Sequence, residues 1–223
     1  MRTFPRDDVG LREAAVELRG VTRLFGEIPA VVRGGLSIER GEAVVLRGPN
    51  GAGKSTLLRI VATSLSPTYG GGSVLGFDIA NEREQIRRRC ELLTHHTRLY
   101  EELSARENLR LFADLLEIDR HRVDEALERV GLSRDADERV RGFSHGMRQK
   151  VAVARTIVRD PELLLLDEPV TGLDGSTLAV VDSMILDAAA NGRTIVIATH
   201  HAVTERLHAR TVSMRDGRIE GPT

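Results

Sequence analysis

Two separated segments of the chain carry residues that could bind a phosphate chain and act on it. The first, residues 48–56, reads GPNGAGKST. Glycines let the backbone turn its N–H groups toward an anion, and a following helix adds the positive end of its dipole. This spacing of glycines, lysine and serine predicts a phosphate-binding loop. The loop comprises Gly48, Pro49, Asn50, Gly51, Ala52, Gly53, Lys54, Ser55 and Thr56.

Three side chains of this loop have separate expected roles. Lys54 adds a mobile positive charge for the outer phosphates of a nucleotide. Ser55 offers a hydroxyl to Mg²⁺, a hard cation that prefers oxygen ligands and is usually shared with the phosphates. Thr56 is expected to contact an inner phosphate. The loop therefore predicts nucleotide binding.

The second segment, residues 163–168, reads LLLLDE. Four leucines in a row fit a strand that is covered on both faces. Ligands of open α/β sheets bind beyond the carboxyl ends of the strands, so Asp167 and Glu168 are expected beside the phosphate loop. Asp167 is expected to hold Mg²⁺, and Glu168 to polarise the attacking water molecule. The two segments together predict hydrolysis of ATP.

The sequence on either side of the loop has the patterns of the strand and the helix that a phosphate-binding loop connects. Residues 43–46 form an apolar run bounded by glycines, and residues 55–65 carry aliphatic side chains at helical spacing, which predicts the order strand, loop, helix. Elsewhere, composition and periodicity predict further elements. Strands are expected at residues 16–18, 30–38, 74–77 and 90–94, turns around Gly26 and at residues 70–72, and helices over most of residues 99–158.

Several motifs occur in one order along the chain. After the phosphate loop come FSHGM at residues 143–147, LLLLDEP at 163–169, GLD at 172–174 and TH at 199–200. In this order, from about residue 16 to residue 220, the chain resembles the ATP-binding subunits of ABC transporters. The resemblance implies an α/β fold, in which a P-loop NTPase core with a mostly parallel sheet carries an N-terminal antiparallel β part and a helical subdomain. The segments HHTRLYEEL and FSHGMRQ are similar to those of export-type subunits, including the haem-exporter and multidrug-type groups.

The resemblance also implies roles for residues outside the two main segments. Phe25 matches the aromatic residue that stacks on adenine, although a hydrophobic plug at a strand end is the alternative. Ser144 and Gly146 match the signature that contacts the ATP held by the opposite subunit. Asp174 matches the residue that links the two sites of the dimer, and His200 is expected to contact the γ-phosphate.

The chain departs from the family pattern at two loops. His95 matches the position of a glutamine that, in the family, touches Mg²⁺ and the attacking water; a shift of one residue would place His96 there instead. Imidazole can still hydrogen-bond a water or a phosphate, but its neutral nitrogen is a poorer Mg²⁺ ligand than an amide oxygen. The alternative is that His95 and His96 are loop residues without a role. In the signature, His145 replaces a glycine and Met147 a glutamine.

Composition limits the organisation and the surroundings of the protein. A chain of 223 residues with 41% apolar content can bury a substantial core, and we expect one ABC ATPase domain over residues 1–223 with a helical subdomain at about 97–158. The formal net charge of −1 argues against a nucleic acid partner. A single cysteine, Cys90, suits a reducing compartment. No run of apolar residues is long enough to cross a membrane and the first residues lack a signal-peptide core, so we expect a cytoplasmic protein, peripheral on the inner face of the cell membrane.

The expected function is the ATP-binding and hydrolysing subunit of an ABC transporter. Two such chains, a homodimer or a pair with a related ATPase subunit, would close on two Mg·ATP and act on a transmembrane permease subunit. Two alternatives stay open: a soluble ABC ATPase without a membrane partner, and a nucleotide sensor that does not hydrolyse ATP.

Overall fold

Two β-sheets, one antiparallel and one mostly parallel, organise the protein. The computed structural model describes residues 14–199 and 203–220. Its strands, in chain order, are β1 (Ala14–Phe25), β2 (Ile28–Glu39), β3 (Ala43–Arg47), β4 (Tyr69–Val74), β5 (Phe77–Asp78), β6 (Cys90–Thr94), β7 (Leu163–Asp167), β8 (Thr194–Ala198), β9 (Arg210–Arg215) and β10 (Arg218–Glu220). Its helices are α1 (Lys54–Val61), α2 (Arg83–Arg89), α3 (Ala105–Leu115), α4 (His121–Arg129), α5 (His145–Arg159), α6 (Gly175–Ala190) and α7 (Val203–Arg206), with a 3₁₀ turn at Val140–Gly142.

The antiparallel sheet follows the order β2-β1-β4-β5. The expected turn around Gly26 is confirmed: β1 pairs with β2 across it, and Gly26 has a φ of 61°. The glycine run at residues 70–72, expected as a turn, instead lies inside β4 and pairs with β1. The strand expected at residues 74–77 is also wrong, because Leu75 and Gly76 take φ values of 54° and 86° and turn the chain between β4 and β5.

The mostly parallel sheet follows the order β10-β9-β3-β8-β7-β6. Strands β9, β3, β8, β7 and β6 run parallel, and β10 is antiparallel to β9. The predicted α/β fold with its antiparallel N-terminal part is therefore confirmed, as are the strands at β3 and β6. Since parallel strands end at one edge, Asp167 lies there between Thr94 of β6 and Ala198 of β8.

Strand β7 is covered on both faces, as its leucine run predicts. Leu163 and Leu165 pack into one apolar cluster with α1, whereas Leu164 and Leu166 pack into a second cluster with α3 to α6. All of these leucines are at most 1% exposed. Alternating side chains of one strand thus join both apolar layers and carry Asp167 to the edge of the sheet.

Helix α1 is shorter than the predicted residues 55–65. It begins at Lys54 and ends at Val61, and Thr63 then takes a left-handed φ of 54°. The N–H of Thr63 donates to the carbonyl of Ile60 at 2.9 Å, which tightens the last turn and stops the helix. The apolar residues that follow α1 therefore belong to a loop.

The region predicted to be helical contains α3, α4 and α5. A capping box between Ser104 and Glu107 starts α3, and Gly131, with a φ of 71°, follows the end of α4. Apolar side chains of these helices share the cluster that covers Leu164 and Leu166. The limits of a helical subdomain at about residues 97–158 stay a prediction. None of the helices in the described ranges has the length and apolar character needed to cross a membrane.

Candidate functional site

The phosphate loop lies between β3 and α1, and two of its glycines have close backbone neighbours. Gly48 has a φ of 152°, and a β-carbon there would lie 2.1 Å from the carbonyl oxygen of Met214. Gly53 has a φ of 99°, and a β-carbon there would lie 2.2 Å from the carbonyl oxygen of Ala30. Such contacts are too short for any side chain, so only glycine fits at both positions. Backbone carbonyls of β2 and β9 therefore hold the loop from two sides.

The side chain of Lys54 folds back across the loop. Its Nζ donates to the carbonyl oxygens of Gly48 at 2.7 Å and of Pro49 at 3.0 Å, and the residue is 7% exposed. An ammonium group has three N–H donors, so one is left for an anion at the loop. The arrangement keeps a positive charge inside the phosphate loop.

Ser55 and Asp167 meet although they are 112 residues apart in sequence. The hydroxyl of Ser55 donates to Oδ1 of Asp167 at 2.8 Å. Asp167 is 6% exposed at the end of β7, and Ser55 is half-buried in the first turn of α1. The contact confirms the expectation that the carboxyl end of β7 reaches the phosphate loop.

Glu168 follows β7 in a left-handed backbone conformation with a φ of 47°. For a residue other than glycine this conformation costs about 1–2 kcal/mol. Its N–H donates to the carbonyl of Ala198 at 2.8 Å, and its own carbonyl accepts from the N–H of Thr171 at 3.4 Å. The side chain is half-buried. Backbone hydrogen bonds on both sides of Glu168 thus maintain the unusual conformation.

These groups line one hollow of about 320 Å³. Its walls are residues 50–56, Ala30, Asp167 and Glu168. The hollow brings together a glycine-rich loop, one cation, a hydroxyl next to a carboxylate, and a second carboxylate. That set can bind a phosphate chain together with a divalent cation and can place an acid beside the last phosphate.

Phe25 and His95 lie away from this hollow, and His200 cannot be placed relative to it. Phe25 ends β1 with 49% of its surface exposed, and the guanidinium of Arg23 lies 4.8 Å from its ring centroid. His95 is exposed, its ring centroid 3.9 Å from that of His96. It lines a separate hollow that includes His145 and Arg148. His200 lies outside the described residues.

The signature segment, residues 143–147, leads into α5. Ser144 is the N-cap, and its Oγ accepts a hydrogen bond from the N–H of Met147 at 3.2 Å, which confirms the predicted cap. Ser144 and His145 are exposed, and neither lines the hollow around Lys54. The start of α5 therefore presents its dipole and a hydroxyl to the outside of the chain.

Gly146 lies directly against the start of α6. A β-carbon at Gly146 would lie 2.9 Å from Oγ1 of Thr177 and 3.0 Å from Oδ2 of Asp174. Asp174 is the exposed N-cap of α6. Hydrogen bonds from the hydroxyl of Ser176 and the N–H of Thr177 lower the pKa of Asp174 to about 2. The Asp174 carboxylate is thus ionised at neutral pH and touches the signature within the same chain.

Sequence reasoning missed two buried polar side chains of α5. Gln149 is 0% exposed and donates from Nε2 to the carbonyl of Pro169 at 3.1 Å. Arg155 is 7% exposed, pairs with Glu91 of β6 and donates to the carbonyl of Thr97 at 2.9 Å. A buried stripe runs along α5, and it is formed by Gln149, Ala152, Val153 and Thr156. This spacing at three and four residues is the signal that places Gln149 inside the protein.

Comparisons with known proteins agree with this geometry. A family model described as ABC transporter matches residues 33–171. The chain is 37% identical over 194 residues to the ABC transporter ATP-binding protein NatA of Bacillus subtilis (strain 168), a match that covers 83% of this chain and 79% of that protein. It is 36% identical over 214 residues to the daunorubicin resistance ATP-binding protein DrrA3 of Streptomyces coeruleorubidus, covering 94% of this chain and 68% of that protein.

Solved structures give the same result. The dimeric post-hydrolysis state of the ATP-binding cassette MJ0796, bound to ADP and Pi, superimposes with a TM-score of 0.83 at 29% identity. That match covers 92% of this chain and 97% of the solved chain. A second solved structure, an ATP-binding subunit of an ABC transporter, gives a TM-score of 0.84 at 27% identity and covers 93% of this chain and 88% of that one. This chain therefore belongs to the ABC transporter family, as one of the ATP-binding and ATP-hydrolysing subunits that drive transport.

Proposed function

We propose that this protein hydrolyses Mg·ATP in the hollow around Lys54 and that Glu168 is its catalytic acid-base group. The observation that carries the proposal is the 2.8 Å contact between Ser55 and Asp167. It joins the phosphate loop to the carboxyl end of β7, and so places the half-buried Glu168 beside the loop that would hold the phosphates.

The residues present fit a magnesium ion. Within the described ranges, no group of three or more His, Cys, Asp and Glu side chains could hold a metal ion by itself. Mg²⁺ commonly takes only one or two carboxylates and shares the phosphates of its substrate, so Ser55 and Asp167 suffice as protein ligands. When bound, the ion would neutralise charge on the phosphate oxygens.

The chain's own groups account for the remaining chemistry. Water attacks the γ-phosphorus, the bond to the bridging oxygen of ADP breaks, and phosphate leaves. Glu168 accepts a hydrogen bond from that water and orients it, while Lys54 and the loop N–H groups hold the phosphates. Phe25 stacks on the adenine. His95 bonds the water or a phosphate oxygen, and His200 bonds the γ-phosphate; these two roles rest on the family resemblance.

The signature completes the site of a second chain. Ser144 and Gly146 of one chain contact the ATP that the phosphate loop of the other chain holds, and Asp174 links the two sites. The exposure of Ser144 and its distance from the chain's own hollow support this arrangement. The solved relative described as a dimer supports it as well. The dimer has two-fold symmetry, and its other half is a second copy of this chain or a related ATPase subunit.

The partner that uses the energy of ATP binding and hydrolysis is a transmembrane permease subunit. The ATPase lies peripheral on the inner face of the cell membrane. A relative named for Nod factor export, at 35% identity, supports transport out of the cell, whereas a relative named for phosphonates import is 36% identical. The net charge of −1 gives no attraction to nucleic acid. The helical subdomain at about residues 97–158 meets the permease.

The test combines turnover with recovery of the partner. Glu168→Gln should slow steady-state release of phosphate by roughly a hundredfold, because a polar group acting on the transition state is lost. Glu128→Gln, on the exposed face of α4, is the control and should keep normal turnover. Unchanged turnover in Glu168→Gln would remove this residue from the proposed role.

The same variant traps the closed state for the second measurement. Tagged Glu168→Gln protein, purified with ATP from detergent-solubilised membranes of its own host, should bring down a polytopic membrane protein that mass spectrometry identifies. Recovery of soluble partners alone would overturn the transport proposal and leave the ATPase intact.

A further inference from the structure

Gln149 is a polar side chain buried among apolar residues of α5. It is 0% exposed on the second turn of α5. Its Nε2 donates to the carbonyl of Pro169 at 3.1 Å, whereas its Oε1 has no hydrogen-bond partner among the described residues. Burying an amide with an unpaired acceptor lowers stability. Packing therefore does not explain why a glutamine lies there.

The bond from Gln149 reaches the residue that follows Glu168. Because the proline ring fixes φ of Pro169, one free backbone torsion separates its carbonyl from the peptide bond that links it to Glu168. Holding that carbonyl therefore limits where the Glu168 backbone can lie. Glu168 itself is in the left-handed region, a conformation that persists only when its surroundings enforce it.

Helix α5 also holds the far end of the same loop. Gly146 packs against Asp174 and Thr177, as described above. The first two turns of α5 thus contact the segment 168–174 at its start, through Gln149, and at its end, through Gly146. A movement of α5 relative to β7 would change both contacts together.

We propose that Gln149 is a positioning residue for Glu168. Its hydrogen bond to Pro169 ties the carboxylate of Glu168 to helix α5, whose exposed start contacts the second chain's ATP. Closure of the opposite site on Ser144 then sets the position of the acid in the chain's own site. This inference rests on the proposed role of Glu168.

The test replaces the amide without changing the shape of the core. Gln149→Met keeps an unbranched side chain of similar size and removes the donor and the unpaired acceptor. The control is Gln85→Met, since Gln85 is the chain's only other glutamine and is exposed on α2. Each variant is purified as the full chain, and its kcat, KM for ATP, affinity for ADP and melting temperature are measured.

Gln149→Met should lower kcat about tenfold, the size expected when a reacting group is slightly displaced. Its affinity for ADP should stay within about twofold of the parent protein, because Gln149 does not line the hollow. Its melting temperature should change little, because removal of the unpaired Oε1 offsets loss of the hydrogen bond to the buried Pro169 carbonyl. An unchanged kcat in Gln149→Met, whatever its melting temperature, would overturn the proposal.

A double-mutant comparison separates this proposal from the role of Glu168 itself. In a Glu168→Gln background, Gln149→Met should cause no further loss of kcat, because the group that it positions has already been removed. A further tenfold loss would show that Gln149 acts on something other than Glu168. If Glu168→Gln alone leaves turnover unchanged, that result contradicts the proposed role of Glu168, whatever the effect of Gln149→Met.

A second variant, Gln149→Asn, controls for a folding defect in Gln149→Met. Gln149→Asn keeps the amide but shortens the side chain by one methylene, so that its nitrogen falls short of the Pro169 carbonyl. It should show the same loss of kcat as Gln149→Met. Normal turnover in Gln149→Asn would show that the bond to Pro169 is not required.

Discussion

The phosphate loop and the signature segment, which we propose to act on the same nucleotide chemistry, are built in opposite ways. Lys54 and Asp167 are 7% and 6% exposed and are held by contacts inside the chain. Ser144 and His145, by contrast, are exposed at the start of a helix, and neither side chain lines the hollow around Lys54. The first region is therefore assembled by folding alone, whereas the exposure of the second supports the proposal that another chain completes it.

The largest effect that tests this contrast is expected at Lys54. Lys54→Ala should weaken binding of a non-hydrolysable ATP analogue by roughly tenfold to a hundredfold, since a hydrogen bond to a charged group contributes about 1.5–3 kcal/mol. Calorimetry on the isolated chain measures the affinity. The chain's other lysine, Lys150 on α5, provides the matched control, and Lys150→Ala should bind the analogue normally. Normal affinity in Lys54→Ala would contradict the assignment of residues 48–56 as the loop that binds the nucleotide phosphates.

A smaller effect is expected where the signature touches the start of α6. Gly146→Ala places a methyl group 2.9 Å from Oγ1 of Thr177 and 3.0 Å from Oδ2 of Asp174, so that these two side chains at the start of α6 must move. We expect turnover to fall about tenfold, or ~1.4 kcal/mol, while the isolated chain binds nucleotide as before.

Gly142→Ala is the matched control for that substitution, because no heavy atom lies within 4 Å of a β-carbon there. Assays of phosphate release at several protein concentrations, beside calorimetry of nucleotide binding, measure the two properties separately. A loss of nucleotide affinity in Gly146→Ala would show that the two regions are not independent within one chain.

The smallest effect concerns the charge at the start of α6. The hydroxyl of Ser176 is the main cause of the lowered pKa of Asp174, which is about 2. Because this pKa is lowered on folding, the carboxylate stabilises the protein above the ordinary value of 3.8, and that contribution is lost as the pH falls toward 2.

Ser176→Ala should raise the pKa of Asp174 toward 3.8, so that protonation occurs at a higher pH. Titration of the carboxyl carbon by NMR measures the change. Ser183→Ala, on an exposed position of α6, should leave the pKa of Asp174 unchanged. An unaltered pKa in Ser176→Ala would mean that the hydrogen bonds from Thr177 and from the backbone N–H of Ser176 stabilise the carboxylate without the Ser176 hydroxyl.

Much of the nucleotide site could be predicted because its signals are local or follow from parallel strands. The glycines and Lys54 stand within one short segment, and the run of leucines marks β7. The meeting of Ser55 with Asp167 follows from the rule that parallel strands end at one edge. The N-cap at Ser144 is likewise visible from residue type and the helical pattern that follows it.

The rest could not be predicted because it depends on single torsions or on distant partners. Val74 and Phe77 have strand-forming side chains, but the left-handed backbone of Leu75 turns the chain between them. The bond from Gln149 to Pro169 spans 20 residues, and no short motif signals it. His95 was assigned by counting from a family pattern, and spacing alone does not reveal that it lies in the hollow with His145.

Strand β7 has a consequence for how the molecule unfolds. Since its leucines alternate between the two apolar clusters, neither cluster can open without exposing side chains of the same strand. The two layers should therefore melt in one cooperative transition, with the amide hydrogens of β7 among the last to exchange with solvent. The carboxylates of Asp167 and Glu168 would thus be attached to one of the last parts of the protein to unfold.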